Sequence, residues 1–517
     1  MDLLIDRAST GRRRRDNDEA YRKRMTDTKA CLEFIESQMG QIQYIAATAS
    51  TIAPAQDWLS DYTGPVSGTF SLSGVTYPTQ PAQPTQPRSP ETYTGLEVQS
   101  WVITDTEYLV ARQPARADHV FAFPSSQPGR KMFVLYDIAG QTPIAAHVPL
   151  TGNVRSYLVA AGQPGYGTAF AYQSYLYDQA MCLIAAIAAD RADMARRLVA
   201  GLLRFQTAAG RNAGGFMLSG QQLSPDYGDP VYRTGAHAIA TYALLGYVQA
   251  HPSAEDQDYR GAARRALGWL SRQKAVSGAQ AGLFRGGGGV YDAAGETLDC
   301  DAEITGCATE HQFDVWHAFV KAALVLEDER WSVNATELAE AIWNLLYDPV
   351  RRRFYQGYES GSGRDSGDPL DMHSWAAIWA DRCGRPDVAR TVLSDAALAP
   401  FEVSQDGIAG YQPEYASDPS GDYPGAKPTI WSEGTFFTAY AFRRLGQDAA
   451  ADAIIAGIDP AQQPDGSFAY CSVHDPAYEL TPSQCVIGPA WAILADLGSG
   501  IWDESPVAAR PRRAGLV

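Results

Sequence analysis

Four segments of the chain carry an acidic residue near their start and then turn apolar: "YQSYLYDQAMCLIAAIAA" with Asp178, "ATEHQFDVWHAFVKAALVL" with Glu310, "PLDMHSWAAIWADRC" with Asp371, and "TIWSEGTFFTAYAFRRL" with Glu433. One carboxylate in a helix's first turn needs no special account, because the helix dipole stabilises it by roughly 0.3–1 kcal/mol. Four brought into one cavity would repel, raise one another's pKa, and so supply a protonated acid beside an ionised base. That pairing is what cleavage of a glycosidic bond requires: one carboxylic acid for the leaving oxygen, one carboxylate to activate water or attack the sugar. Trp375, Trp431 and Tyr177, with Tyr172 and Tyr175 nearby, offer flat faces for sugar rings. His237, His311, His373 and His474 fall at or near the same segment starts.

Local signals favour Glu433 as a working acid. Ser432 is available as the N-cap of its helix, Gly434 leaves the backbone open to close approach, and Trp431 adds a ring surface beside the carboxylate. In "TEHQ", Thr309 and Gln312 fit a capping box, which frees Glu310 from any capping role. Glu433 with Asp371 is the preferred catalytic pair, with Glu310 and Asp178 as the other candidate carboxylates. Trp431, Trp375, His311, His373, His237 and Tyr177 are candidates for substrate binding.

The elements that must position these residues recur at a regular interval. Taking Asp178, His237, Glu310, Asp371, Glu433 and Gly488 as markers, successive apolar helices start 59, 73, 61, 62 and 55 positions apart, the length of a helical hairpin with its loops. Between them lie helices charged on one face, such as "ADMARRLVAGLLRFQ", "DYRGAARRALGWLSRQ" and "ATELAEAIWNLLYD". Six buried helices alternating with amphipathic ones predict a mainly α fold, an (α/α)6 toroid over 161–500, with the inner-helix N-termini at one end. Only five amphipathic partners follow in the chain, so a helix over 27–48 is expected to fill the sixth outer place.

Upstream, residues 1–50 are charged and then amphipathic, and 51–94 form a Pro/Ser/Thr-rich linker containing "YPTQPAQPTQPRSPETY". Runs such as "VQSWVIT", "EYLVAR", "HVFAF", "KMFVLYDI" and "IAAHVPL" predict a small β-rich region over 95–160, packed beside the toroid. Residues 501–517 are read as a tail. With 42 Lys and Arg against 59 Asp and Glu, the net charge of −17 disfavours phosphate backbones and anionic lipid, so neither nucleic acid nor membrane is an expected partner. No apolar stretch suits a membrane span or a secretory leader, and a cytoplasmic protein is expected. The seven cysteines show no metal-ligand spacing; reduced thiols are the default, with Cys300–Cys307 or Cys471–Cys485 the bridges an oxidising compartment could form. Neither a metal nor a cofactor is expected.

The segments "YLYDQA", "TEHQFDVWHAF", "LDMHSWA", "WSEGTFFTAYAFRRLG" and "DGSFAY…VIGPAWAILA", in this order over roughly 165–498, resemble bacterial proteins of the six-hairpin glycosidase superfamily. The resemblance implies a carbohydrate substrate held in the toroid's funnel and glycoside hydrolase activity. Where such proteins tend to read "TEHN", this chain has Gln312. Two other readings stand beside it: a sugar epimerase or isomerase using histidines as acid and base, and a non-catalytic carbohydrate-binding scaffold using the aromatics alone. A terpene cyclase is a weaker match, since "QQPDGSF" resembles a QW repeat but "DCDAE" is a poor DxDD acid. "RGGGG" lacks the Lys-Ser/Thr of a phosphate loop. The sugar, its linkage, the stereochemical course and the oligomeric state are not written in the sequence.

Overall fold

The computed structural model describes residues 26–39, the backbone of four strands between 96 and 147, and 152–504 apart from 161, 165–169, 171–172, 222–229, 253–255, 292–297, 415–426 and 475–479. Twelve helices among these residues carry the fold. They are α1 (Thr28–Ser37), α2 (Leu176–Ala188), α3 (Ala192–Leu203), α4 (Thr234–Ala250), α5 (Asp256–Gln273) and α6 (Thr309–Leu326). Then follow α7 (Glu329–Leu345), α8 (Asp371–Arg382), α9 (Pro386–Val392), α10 (Ser432–Arg444), α11 (Asp448–Ile458) and α12 (Ile487–Leu497).

The even-numbered helices are buried nearly all round, as α4 shows with Gly235, His237–Leu245, Tyr247 and Val248 all inaccessible to solvent. They touch in sequence, α2 to α4 to α6 to α8 to α10 to α12, and α12 returns to α2, so the ring closes. Each odd-numbered helix from α3 to α11 packs against the inner helix before it through one apolar stripe, as α7 does with Trp331, Ala335, Leu338 and Ile342. The sixth outer place is taken by α1, which packs on α12 through Cys31, Leu32, Phe34 and Ile35. Its acidic Glu36 bonds Arg191 and Arg197 of the first hairpin, tying the ends of the ring together. The helix is shorter than the 27–48 expected; Ile42 and Ile45 lie outside the described residues.

The strands Leu96–Ile103, Tyr108–Ala115, Arg130–Asp137 and Thr142–His147 form an antiparallel sheet in the order 2-1-3-4. The expected strand "HVFAF" and the packing of this sheet beside the toroid lie outside the described residues. All seven cysteines are free thiols, so neither conceivable bridge forms. Among the described residues no helix is long and apolar enough to cross a membrane.

Candidate active site

Four of the inner helices, α2, α4, α6 and α10, are entered through an extended residue, at Tyr175, Arg233, Ala308 and Trp431. For α10 this entry is held by the neighbouring chain: Trp431 N–H donates to the Tyr411 carbonyl (2.8 Å) and Ser432 N–H to the Tyr470 carbonyl (3.0 Å). Trp431 itself is the N-cap residue, with extended φ −97° and ψ 110°; Ser432 lies inside the helix and does not cap it. The capping box expected at α6 is likewise absent. Thr309 donates to the Tyr355 carbonyl (2.6 Å), and Gln312 spans the gap to Phe284, accepting from its N–H (2.7 Å) and donating to its carbonyl (2.9 Å).

Gln312 belongs to a set of side chains that stitch inner helices to outer ones. In α2, Gln179 accepts from Val154 N–H and donates to the carbonyls of Gly152 and Leu198. In α4, His237 accepts from Phe216 N–H at Nδ1 (3.0 Å) and donates to the Ala266 carbonyl through Nε2 (3.0 Å), with the Phe216 and Trp269 rings against its faces. In α8, His373 donates to the Val392 carbonyl (2.9 Å) and meets Asp368 (3.1 Å). His237 and His373, expected at the substrate, are therefore core residues whose ring nitrogens are already used. Burial pushes His237 down to about 3, so it is neutral at ordinary pH. His474, through Nδ1, hydrogen-bonds the Leu480 carbonyl (2.8 Å).

Two positions before this stitching register lie the mouth residues, and there the carboxylates meet. The Glu310 and Asp371 carboxyls hydrogen-bond each other; burial, that bond and the charge of Glu310 hold Asp371 well above the usual carboxylate range. Both line a cavity of about 280 Å³ together with Gln356, Glu414, Trp431 and Tyr470. Glu433 is buried just behind that lining. Burial and the charges of Asp178 and Asp371 push it up to about 8, against the hydrogen bonds it receives from the Tyr177 and Tyr470 hydroxyls. Asp178 is pushed up to about 7 by burial, opposed by a hydrogen bond from Ser156.

Glycines and aromatics shape the remainder. Gly235 occupies the mouth register of α4, and a Cβ there would stand 2.1 Å from the His311 ring, which fills the space instead. His311 lies 3.4 Å from Glu310 and is pushed down to about 4 by burial and by Arg233. A Cβ on Gly434 would stand 2.2 Å from the Trp431 ring, so this glycine makes room for the indole and not for a ligand. Trp375 lies one turn inside the ring, edge-on to Phe437 and Trp502. Tyr177 accepts from Trp491 Nε1 (3.0 Å), and Tyr172 lies outside the described residues.

Three contributors carry no clear mark in the sequence. Tyr470 reaches Glu433 because the Phe468–Ala469 strand pairs with Gln484–Cys485, and that pair in turn with Tyr157–Leu158. Tyr157 stands edge-on to Tyr470, with centroids 5.4 Å apart. Asp314, four residues after Glu310, is a further buried carboxyl, raised by burial and by the charges of Glu310 and Asp371. Its spacing was the available signal, since i and i+4 share a helix face.

The closed ring of six helical hairpins makes this an (α/α)6 toroid with an acidic mouth. No family model and no curated protein matches the chain. Among solved structures, it is similar to a cellobiose 2-epimerase from Bacillus thermoamylovorans B4167, at 12% identity over 67% of this chain and 92% of that one, with a TM-score of 0.48. It is also similar to a family 76 glycoside hydrolase from a bovine Bacteroides thetaiotaomicron strain, at 11% identity over 85% and 98% of the two chains (TM-score 0.46). A third is a D-mannose isomerase, at 12% identity over 67% and 91% (TM-score 0.46).

Proposed function

We propose that the protein is a carbohydrate-active enzyme, a glycoside hydrolase whose acid is Glu433 and whose anionic partner is the Glu310–Asp371 pair. The observation that carries this reading is the unequal protonation of carboxyls around one cavity. Glu433 holds its proton at neutral pH, and Asp371 is held well above the usual carboxylate range by burial, by its hydrogen bond with Glu310 and by the Glu310 charge beside it. Two carboxyls in direct hydrogen bond are too close to flank a glycosidic bond, for which separations of roughly 5–9.5 Å are required. The pair therefore acts as one unit, as base or nucleophile, and the protonated acid has to be a separate carboxyl, the role given to Glu433 behind Tyr470 of the lining. Trp431 and Tyr470, lining the same cavity, supply the ring faces for a sugar.

The histidine-based epimerase reading loses its support at the same place. His237 and His373 are committed to backbone or ion-pair partners in the core, which leaves His311 alone beside the carboxylates. The discriminating experiment is incubation with a panel of oligosaccharides followed by product chromatography. Shortened chains are expected; a changed sugar in an intact chain, or retention without conversion, would overturn the hydrolase reading in favour of an epimerase or a binding scaffold.

A further inference from the structure

Below the mouth the lumen face of α6 continues to carry ionisable side chains at helical spacing: Glu310, Asp314, His317 and Lys321. The first lines the cavity, and the last is paired with Glu504 at the closed end. The two between are buried, each 2% exposed, and have polar atoms without a protein partner among the described residues: Asp314 Oδ1 and both ring nitrogens of His317. Trp375, one turn below Asp371 as Asp314 is one turn below Glu310, also leaves Nε1 unmatched. His317 and Trp375 meet through Trp502, whose ring stacks on His317 (centroids 5.1 Å, 22°) and meets Trp375 edge-on (5.0 Å). Buried polar atoms are almost always satisfied, and a trapped water with two to four polar partners is the usual means.

We propose that Asp314 is a positioning residue for the acidic pair: together with His317 it holds water in the lumen beneath Glu310 and Asp371, and through that water it supports the charged form of the pair. The ionisable groups facing Asp314 are Glu310 and His317 on its own helix, Asp371 on α8 and Tyr177 on α2. Neither His317 nor Tyr177 adds charge beside the pair: burial and Arg382 push His317 well down, and burial keeps the Tyr177 hydroxyl protonated. Asp314 itself is held protonated by burial and by the charge above it, so it can donate a hydrogen bond toward the pair instead of adding a repelling charge. A donor lost from beneath an anion raises the pH at which that anion forms.

The inference rests on the Glu310–Asp371 pair as the anionic group of the proposed enzyme, and two measurements separate its fate from that reading. A high-resolution crystal structure of the unaltered protein is expected to show ordered water within hydrogen-bond distance of both Asp314 and His317; a dry lumen there overturns the proposal. Difference infrared titration of the pair's carboxyls, assigned with Glu310→Gln, is expected to shift upward by about one pH unit in Asp314→Leu and to return most of the way in Asp314→Asn, which keeps a donor. The acid limb of kcat/KM on whatever sugar the panel identifies should move with it. A shifted titration without any sugar turnover sustains the role of Asp314 and removes the hydrolase reading; sugar cleavage with an unmoved titration does the reverse. If Asp314→Leu does not fold, the water in the unaltered protein decides.

Discussion

At the closed end of the ring the buried carboxylate of Glu504 meets the Lys321 ammonium and the Tyr242 hydroxyl (2.7 Å), and Asp503 meets Arg444 (2.8 Å). At the mouth and one turn below it, Asp178, Glu310, Asp314, Asp371 and Glu433 have no lysine or arginine ion pair among the described residues. Both ends lie in the same low-dielectric lumen. The closed end also anchors the segment Gly500–Glu504 through Tyr440, which donates to the Ile501 carbonyl, and through Tyr242, which accepts from Trp502 N–H. There the charges are neutralised and the arrangement fixes structure. At the mouth burial keeps carboxyls protonated, an expense in stability that packing does not require and that the proposed acid–base chemistry would.

The sharpest break of this contrast is in activity. Glu433→Gln should reduce turnover by roughly 10²–10⁴ on the sugar identified by the panel, the range for a lost general acid, while its far-UV spectrum stays that of the unaltered protein and its thermal midpoint near neutral pH is not lowered. Full specific activity in the Gln variant would move the acid elsewhere. At the other end Lys321→Met should act oppositely: it leaves Glu504 buried without its cation, which costs about 3–5 kcal/mol. The shift of the denaturant midpoint measures it, and a loss below about 1 kcal/mol would show that the closed end relaxes around the bare carboxylate.

The pH dependence of stability separates the ends further. Glu433 is raised from its ordinary 4.5 to about 8, so the folded protein holds a proton that the unfolded chain has released between those values. Stability therefore falls as pH rises from about 4.5 to 8 and stays reduced above, by an amount on the order of a few kcal/mol. Asp178, raised from 3.8 to about 7, adds loss in the same direction over its own window. Urea midpoints at pH 5 and pH 9 should thus diverge in the unaltered protein and converge partly in Glu433→Gln. Equal divergence in both would assign the titration to a group other than Glu433.

The ring was legible because buried helices alternating with amphipathic ones at intervals near 60 residues leave few other closed packings, and even the sixth outer helix could be sought at the N-terminus from the count of partners. The mouth was legible only by residue type. His237 and His373 sit in the same register as Gln179 and Gln312, and what distinguishes a stitching histidine from a substrate histidine is a backbone carbonyl supplied by an outer helix some 20 to 30 residues on, at Val392 and Ala266. Nor does the sequence show that Tyr470, from a loop 37 residues after Glu433, lays its hydroxyl on that carboxyl. The capping assignments failed for a related reason: tertiary backbone acceptors, the Tyr470 and Tyr355 carbonyls, took the groups that local capping would have used.

The smallest expected effect tests the seating of Trp431. Its ring lies over the first turn of α10 because Gly434 has no Cβ: one placed there would stand 2.2 Å from Cε3 of the indole and 3.0 Å from Leu370 Cδ2. The backbone at Gly434 is helical, so alanine itself suits the local conformation, and the strain falls on the ring. Overpacking of this kind costs about 1–3 kcal/mol, or is relieved if the indole swings into the cavity it lines. Gly434→Ala should therefore leave kcat within a few-fold, since Glu433 keeps its tyrosine partners, while KM for the sugar rises by about tenfold, corresponding to roughly 1.4 kcal/mol of lost ring contact. A fall in kcat at constant KM would mean that the ring positions the carboxyl and not the sugar, and no change in either would remove Trp431 from the binding surface.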